Sequence, residues 1–351
     1  MNIEELLKLM SKKKASDLLL GADVPPILRI NGELVKTEYK IFTTESVREL
    51  IYSMLSQQQK EKFESSKELD LPYEIEGLAR FRVNIHLQRG SVAAAIRIIP
   101  SEIPTLEELW LPETIAEFAS EARGLVLVTG PTGSGKTTTQ ACMVDIINSR
   151  RSCHIITIED PIEYIHKNKK SMVEQREVGV DTNSFNIALK HVLRQDPDVI
   201  LVGEMRDLET IQTALTAAET GHLVISTLHT NDSVQAIDRI IDVFPPYQQT
   251  QIRLQLSLTL QGIIAQQLLP RADGSGRIVV TEILKATTGI RNIIRKAQSQ
   301  ELYSMIEIGA KYGMQSMDSV LKDLYKKKII TYDVALSRAI HPEHLAKTLS
   351  E

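Results

Sequence analysis

The chain has 351 residues, 42% hydrophobic and 25% charged, which suits a globular protein of two domains and excludes a disordered or low-complexity chain. Its net charge of −4 and pI of about 6.1 provide no general basic field for nucleic acid or an anionic membrane. No apolar run reaches the roughly 18 residues of a bilayer span, and the N-terminal order of acids before lysines reverses that of a secretory signal. Cys142 and Cys153 lack metal-site spacing and cannot form a disulfide scaffold, so a reducing cytoplasm is the expected compartment. The lysine runs at 12–14, 167–170 and 326–328 read as solvated surface.

Residues 1–99 read as a small mixed domain. Ile3, Leu6, Leu7 and Met10 recur at helical spacing, and PILRI-NG-ELV carries the Asn31-Gly32 pair of a two-residue hairpin. Thr43 or Thr44 is placed to cap a helix ending near Ser56. From Ala79 to Gln88, Phe81, Val83, Ile85 and Leu87 alternate with Arg80, Arg82, Asn84, His86 and Gln88, which predicts a half-buried strand with one polar face. After the Arg89-Gly90 turn, SVAAAIRII predicts a second strand carrying Arg97, and Pro100 and Pro104 open a linker over 100–111.

From 112 to 351 apolar runs alternate with helical stretches. LVLVTG, HIITIED, DVILVGE and HLVIST are Val/Ile/Leu runs of the kind buried on both faces of a parallel sheet, so the second domain is expected to be α/β and doubly wound. After Asp207, Ile211, Ala214, Leu215 and Ala218 form one apolar stripe that ends before Gly221. Residues 288–351 read as helical, an appendage of that domain.

GPTGSGKT, Gly130 to Thr137, fills every position of G-x-x-x-x-G-K-[ST] directly after the strand LVLVT and before a helix. Glycines at 130, 133 and 135 let the backbone curl so that its N–H groups face phosphate oxygens at the positive end of the helix. The candidate nucleotide-binding residues are therefore Gly130, Pro131, Thr132, Gly133, Ser134, Gly135, Lys136, Thr137 and Thr138. Lys136 supplies charge to the β- and γ-phosphates and Thr137 a hydroxyl for Mg²⁺. Glu204 ends one apolar strand, with Gly203 where many P-loop enzymes have aspartate, and Glu159, Asp160 and Glu163 follow another. In a parallel sheet these strand ends share the carboxyl edge with the phosphate loop. His222 and His229 bracket LVISTL with a spacing that is no zinc pattern.

Together these segments resemble the secretion-type ATPases of type II secretion and type IV pilus machines. GPTGSGKT resembles their Walker A, IEDPIEY their Asp box, ILVGEMRD their Walker B and TGHLVISTLHT their His box, and the likeness covers nearly the whole chain, strongest from Arg123 to Pro245. IDRIIDVFP and GIRNIIR are similar to elements of the retraction-motor branch. The resemblance implies a PAS-like N-terminal domain followed by a RecA-like P-loop domain with C-terminal helices. It further implies a cytoplasmic homohexamer working at the cytoplasmic face of the inner membrane on a platform protein of the pilus machine, with ATP and Mg²⁺ as cofactors and no direct nucleic acid.

Residue by residue, the resemblance implies that Glu163 polarises the attacking water and that Glu204 holds Mg²⁺, partly through water. His222 and His229 would sense the nucleotide state, and Arg82 and Arg97, with Arg80 less closely matched, would reach a neighbour's phosphates. In GIRNIIR, Ile290, Ile293 and Ile294 anchor one helix face, and Arg291 and Arg295 are expected to act outward on the pilus machine. Leu19, Lys190 and Lys296 depart from the family's usual residues. Three functions fit: a pilus retraction motor, an accessory ring that depends on a partner motor, and a nucleic-acid translocase on the same core. The acidic pI and the lack of a basic stripe weigh against the last.

Overall fold

The computed structural model describes residues 2–30, 32–100 and 102–350. It divides into two compact units, one of residues 2–102 with 163–165, the other of 103–162 with 166–350.

In the first unit the strands β1 (Asp17–Leu20), β2 (Ile27–Ile30), β3 (Glu33–Lys36), β4 (Glu68–Ile75), β5 (Ala79–Gln88) and β6 (Ser91–Ile99) form an antiparallel sheet in the order β3-β2-β1-β6-β5-β4. Three helices accompany it, α1 (Ile3–Lys12), α2 (Thr44–Tyr52) and α3 (Gln57–Ser66). The apolar stripe of α1, Ile3, Leu6, Leu7 and Met10, is buried against the same core as Phe81, Val83 and Ile85 of β5, as their spacings predict. Each such fully buried side chain contributes about 1.5–3 kcal/mol relative to exposure. Leu87 departs from the alternation: paired with Val92 beside the turn that ends β5, it is exposed. Asn31 of the expected hairpin lies outside the described residues, while β2 and β3 pair with Ile30 opposite Glu33. Thr43 caps α2, its hydroxyl accepting from Ser46 N, but that helix ends at Tyr52. Ser56 instead begins α3, where its hydroxyl accepts from Gln59 N.

The second unit holds β7 (Gly124–Thr129), β8 (His154–Glu159), β9 (Met172–Glu177), β10 (Val199–Val202), β11 (Leu223–Leu228), β12 (Leu260–Pro270) and β13 (Arg277–Lys285), ordered β13-β12-β7-β11-β10-β8-β9. Only the β12–β13 pair is antiparallel; the other neighbours run parallel. The strands foreseen from their apolar runs are the four central neighbours β7, β11, β10 and β8, and β7, β10 and β11 are buried along their whole length. Helices α4 (Thr114–Ala119), α5 (Lys136–Arg150), α6 (Phe185–Val192), α7 (Leu208–Glu219), α8 (Ser233–Asp242) and α9 (Pro246–Thr259) flank the sheet. Asp207 caps α7, accepting from Thr210 N, and Ile211, Ala214, Leu215 and Ala218 face the core.

The C-terminal stretch is helical as expected: α10 (Thr288–Arg295), α11 (Glu301–Glu307), α12 (Met317–Lys326), α13 (Tyr332–Arg338) and α14 (Pro342–Ser350). It serves two cores. Ile290, Ile293, Ile294, Leu302 and Ile306 of α10 and α11 join the main cluster under the sheet. Met317, Leu321, Leu324, Ala335 and Leu345 of the last three helices cover the apolar side of the β12–β13 hairpin at Leu269, Ile278 and Val280. The protein is thus a mixed α/β chain with an antiparallel N-terminal unit and a parallel-sheet second unit.

Candidate nucleotide site

The phosphate loop joins the end of β7 to the start of α5. Gly135, at φ 89°, is the N-cap of α5 and offers no side-chain oxygen, so the first-turn N–H groups of the helix have no capping acceptor. Together with the helix dipole this leaves a ready site for an anion. Gly130 is required on two counts: its φ is 145°, and a Cβ there would lie 2.2 Å from the carbonyl oxygen of Gln266 in β12. Pro131, Thr132 and Gly133 are exposed, Thr137 and Thr138 half-buried. Lys136 is 9% exposed, and its Nζ donates to the loop's own carbonyls at Gly130 (2.8 Å) and Pro131 (2.9 Å). The charge therefore stands directly over the loop. Among the described residues the buried hydroxyls of Ser134 and Thr129 have no hydrogen-bond partner, a state that a bound polar ligand would relieve.

Beside the loop, the carboxyl edge of the sheet brings Glu204 and His229 together. Gly203 N donates to Ile158 O (2.8 Å), and Thr227 Oγ1 donates to Gly203 O (2.6 Å), which binds the ends of β8, β10 and β11 together. A Cβ at 203 would stand 3.3 Å from Ile158 O, so the position is crowded and the acid comes one residue later. Glu204, its side chain 14% exposed, accepts from Arg206 Nε at 2.7 Å and faces His229 Nε2 at 3.4 Å. Since β10 and β7 are separated by β11, Glu204 lies about 10 Å across the sheet from the loop at ordinary strand spacing. Arg206, two residues beyond the acid it pairs with, was not foreseen from the sequence.

The remaining histidine and acids are placed differently. His222 stands at the opposite, amino end of β11, about 20 Å from His229 along the strand. Its Nδ1 lies 2.9 Å from Ala217 O and 3.3 Å from Thr220 Oγ1, so it ties down the end of α7 rather than facing the phosphate loop of its own chain. Glu159 is turned inward, accepting from Thr157 Oγ1 (2.6 Å) and Gln175 Nε2 (3.0 Å). Asp160 and Glu163 are exposed, and Glu163 groups by its contacts with the N-terminal unit.

Within that unit the arginines are set by strand register. Arg82 is the Cα partner of Arg97 across β5–β6, and Arg97 in turn partners Asp17 across β6–β1. Like charges directly opposite each other are destabilising by a few tenths of a kcal/mol to ~1 kcal/mol. Asp17 relieves part of this, its Oδ1 accepting from Arg97 Nε at 2.8 Å. The Arg97 side chain is still 69% exposed, and Arg82, 3.9 Å from Asp70, is 48% exposed. Arg80 lies on the same polar face of β5, two residues before Arg82.

Arg291 corrects a sequence expectation. Far from pointing outward, its guanidinium donates to Ser257 O (2.7 Å), Leu258 O (2.9 Å), Ala286 O (2.9 Å) and Gln261 Oε1 (3.1 Å). The last carbonyls of α9 have no partner within the helix, and Arg291 satisfies them. Arg295 lies 3.5 Å from Ser257 Oγ beside the same helix end.

A glycine-rich loop at a helix N-terminus, its lysine, and an acid at the end of the neighbouring strands define a P-loop nucleotide-binding protein with a RecA-like sheet. Residues 111–277 match the family described as type II/IV secretion system protein. The chain is 47% identical over 98% of its length to the whole of the type IV pilus retraction ATPase PilT of Pseudomonas aeruginosa. It is 44% identical over 97% of its length to the type IV pilus ATPase PilU of that organism, covering 89% of PilU. Among solved structures, the pilus retraction motor PilT with bound ADP superposes with a TM-score of 0.93 at 48% identity, covering 99% of both chains. The ATPase DotB of Legionella pneumophila follows with 0.79 at 28% identity, covering 95% of this chain and 94% of that one. The chain belongs to the PilT family of secretion-system ATPases.

Proposed function

We propose that this chain is an ATP-hydrolysing motor that withdraws type IV pili. The carrying observation is the end-to-end likeness to PilT together with a phosphate loop, Lys136, Glu204 and His229 set along one sheet edge. The loop N–H groups and Lys136 bind and orient the β- and γ-phosphates, so that catalysis is positioning and charge stabilisation. Thr137 and Glu204 would hold Mg²⁺, which neutralises phosphate charge when bound. Among the described residues no cluster of three or more His, Cys, Asp or Glu is suited to a metal. Nucleotide Mg²⁺ needs none, because phosphates and water supply most of its ligands. Glu163 polarises the attacking water, and His229, against Glu204, responds to the state of the phosphates.

The working unit is a homohexamer in the cytoplasm, at the inner-membrane platform of the pilus machine. Among the described residues no helix is long and apolar enough to cross a membrane. Arg82 and Arg97 act in trans on a neighbouring protomer's phosphates. Inactive Arg82→Ala protein mixed with inactive Lys136→Ala protein should regain partial turnover, because some interfaces then combine an intact arginine with an intact loop; no recovery in verified mixed rings would exclude the trans role. The motor's task is tested in cells: loss of the chain should leave surface pili in excess and abolish movement. Bald cells would overturn retraction, and normal movement would favour an accessory ring that depends on a partner motor.

A further inference from the structure

Strand β12 runs beside β7 with Ala265 opposite Thr129, so Gln266 stands level with the mouth of the phosphate loop. It is 1% exposed, and a carboxamide at that depth must find partners. Nε2 donates to Ser134 O at 2.7 Å, and Oε1 accepts from Thr139 Oγ1 at 2.9 Å. Its backbone carbonyl is the oxygen that excludes a side chain at Gly130. One residue thus touches the start of the loop, its last turn and the helix behind it.

The orientation of this amide follows from the chemistry of its partners. Ser134 O can only accept, so the NH₂ side must face it, and the Thr139 hydroxyl then donates to Oε1. Holding the Ser134 carbonyl has a further effect. In a planar trans peptide the N–H points opposite to the C=O, so fixing Ser134 O against Gln266 aims the Gly135 N–H away from β12. We infer that Gln266 is a positioning residue for nucleotide, a brace that sets the phosphate loop's backbone donors before ligand arrives. The inference rests on the loop being the phosphate holder. Only a neutral carboxamide fits: a carboxylate would set oxygen against the Ser134 carbonyl and add negative charge behind the phosphates.

The test is ADP binding by calorimetry on the full chain. Gln266→Met, similar in volume, should weaken ADP roughly tenfold, the scale of one or two lost hydrogen bonds around a charged ligand. The KM for ATP should rise with it, and Gln266→Glu should lose more. Thr139→Val should show a smaller loss, and the double variant should bind no more weakly than Gln266→Met alone, because both act through one contact. A purely structural glutamine would lower the melting temperature without nucleotide yet leave the ADP affinity unchanged. An ADP Kd for Gln266→Met within about twofold of the unmodified chain would therefore overturn the assignment, since twofold is well under one net hydrogen bond. Should that variant not fold, unchanged ADP affinity in Thr139→Val overturns it equally. Failure of the unmodified chain to bind ADP would instead sink the phosphate-loop reading itself.

Discussion

Replacing Lys136 by alanine should abolish ATP hydrolysis, with turnover falling by about 10²- to 10³-fold or more, because phosphoryl transfer depends on positioned charge in a water-poor site. The lysine is held by the loop it serves: its ammonium lies on Gly130 O and Pro131 O, so it is delivered to the phosphates by the same backbone that binds them. Alanine removes the charge without altering the glycines that shape the turn, and the helix it begins tolerates alanine well. The protein should stay folded, by circular dichroism, and lose phosphate release. Release within about threefold of the unmodified chain would be incompatible with a site in which this charge is worth several kcal/mol.

Glu204→Gln should bind nucleotide but turn it over on the order of 10²-fold more slowly, as expected when one fixed charge is taken from a phosphoryl-transfer site. The carboxylate is mostly buried and flanked by Arg206 and His229, so it stands near two potential cations while remaining the acid at the end of β10. Glutamine keeps the shape and one acceptor oxygen but loses the negative charge that would draw in the hydrated Mg²⁺. Turnover measured across a Mg²⁺ titration should therefore show a higher Mg²⁺ requirement as well as a lower ceiling. An unchanged Mg²⁺ dependence with normal turnover would remove Glu204 from the metal's surroundings and leave its contact with His229 as a structural pair.

Chemistry carried by local spacing was readable from the sequence. The phosphate loop is a run of adjacent residues whose glycines serve its own turn, and it formed between the expected strand and helix. The four apolar runs became four neighbouring strands because a Val/Ile/Leu segment buried on both faces has few alternatives. The two histidines could have been separated by the same logic: six strand residues between them place them at opposite ends of β11. Arg291 was misread because helical spacing shows which face a side chain shares but not what stands opposite. What stands opposite is the open carbonyl end of α9.

The sequence by itself determined the phosphate loop, the acid-ended strands, the alternation of β5 and the helical tail, all of them consequences of residues a few positions apart. Only the tertiary structure decided that β12 lies against β7, that Arg82 and Arg97 sit side by side with Asp17 next in the row, and that Glu204 meets His229. The contacts of Gln266 with Ser134 and Thr139 span 132 and 127 residues of chain. A pairing at that distance leaves no periodicity or spacing in the sequence, because it is selected by the burial of whole faces and the hydrogen-bond demands of what those faces enclose.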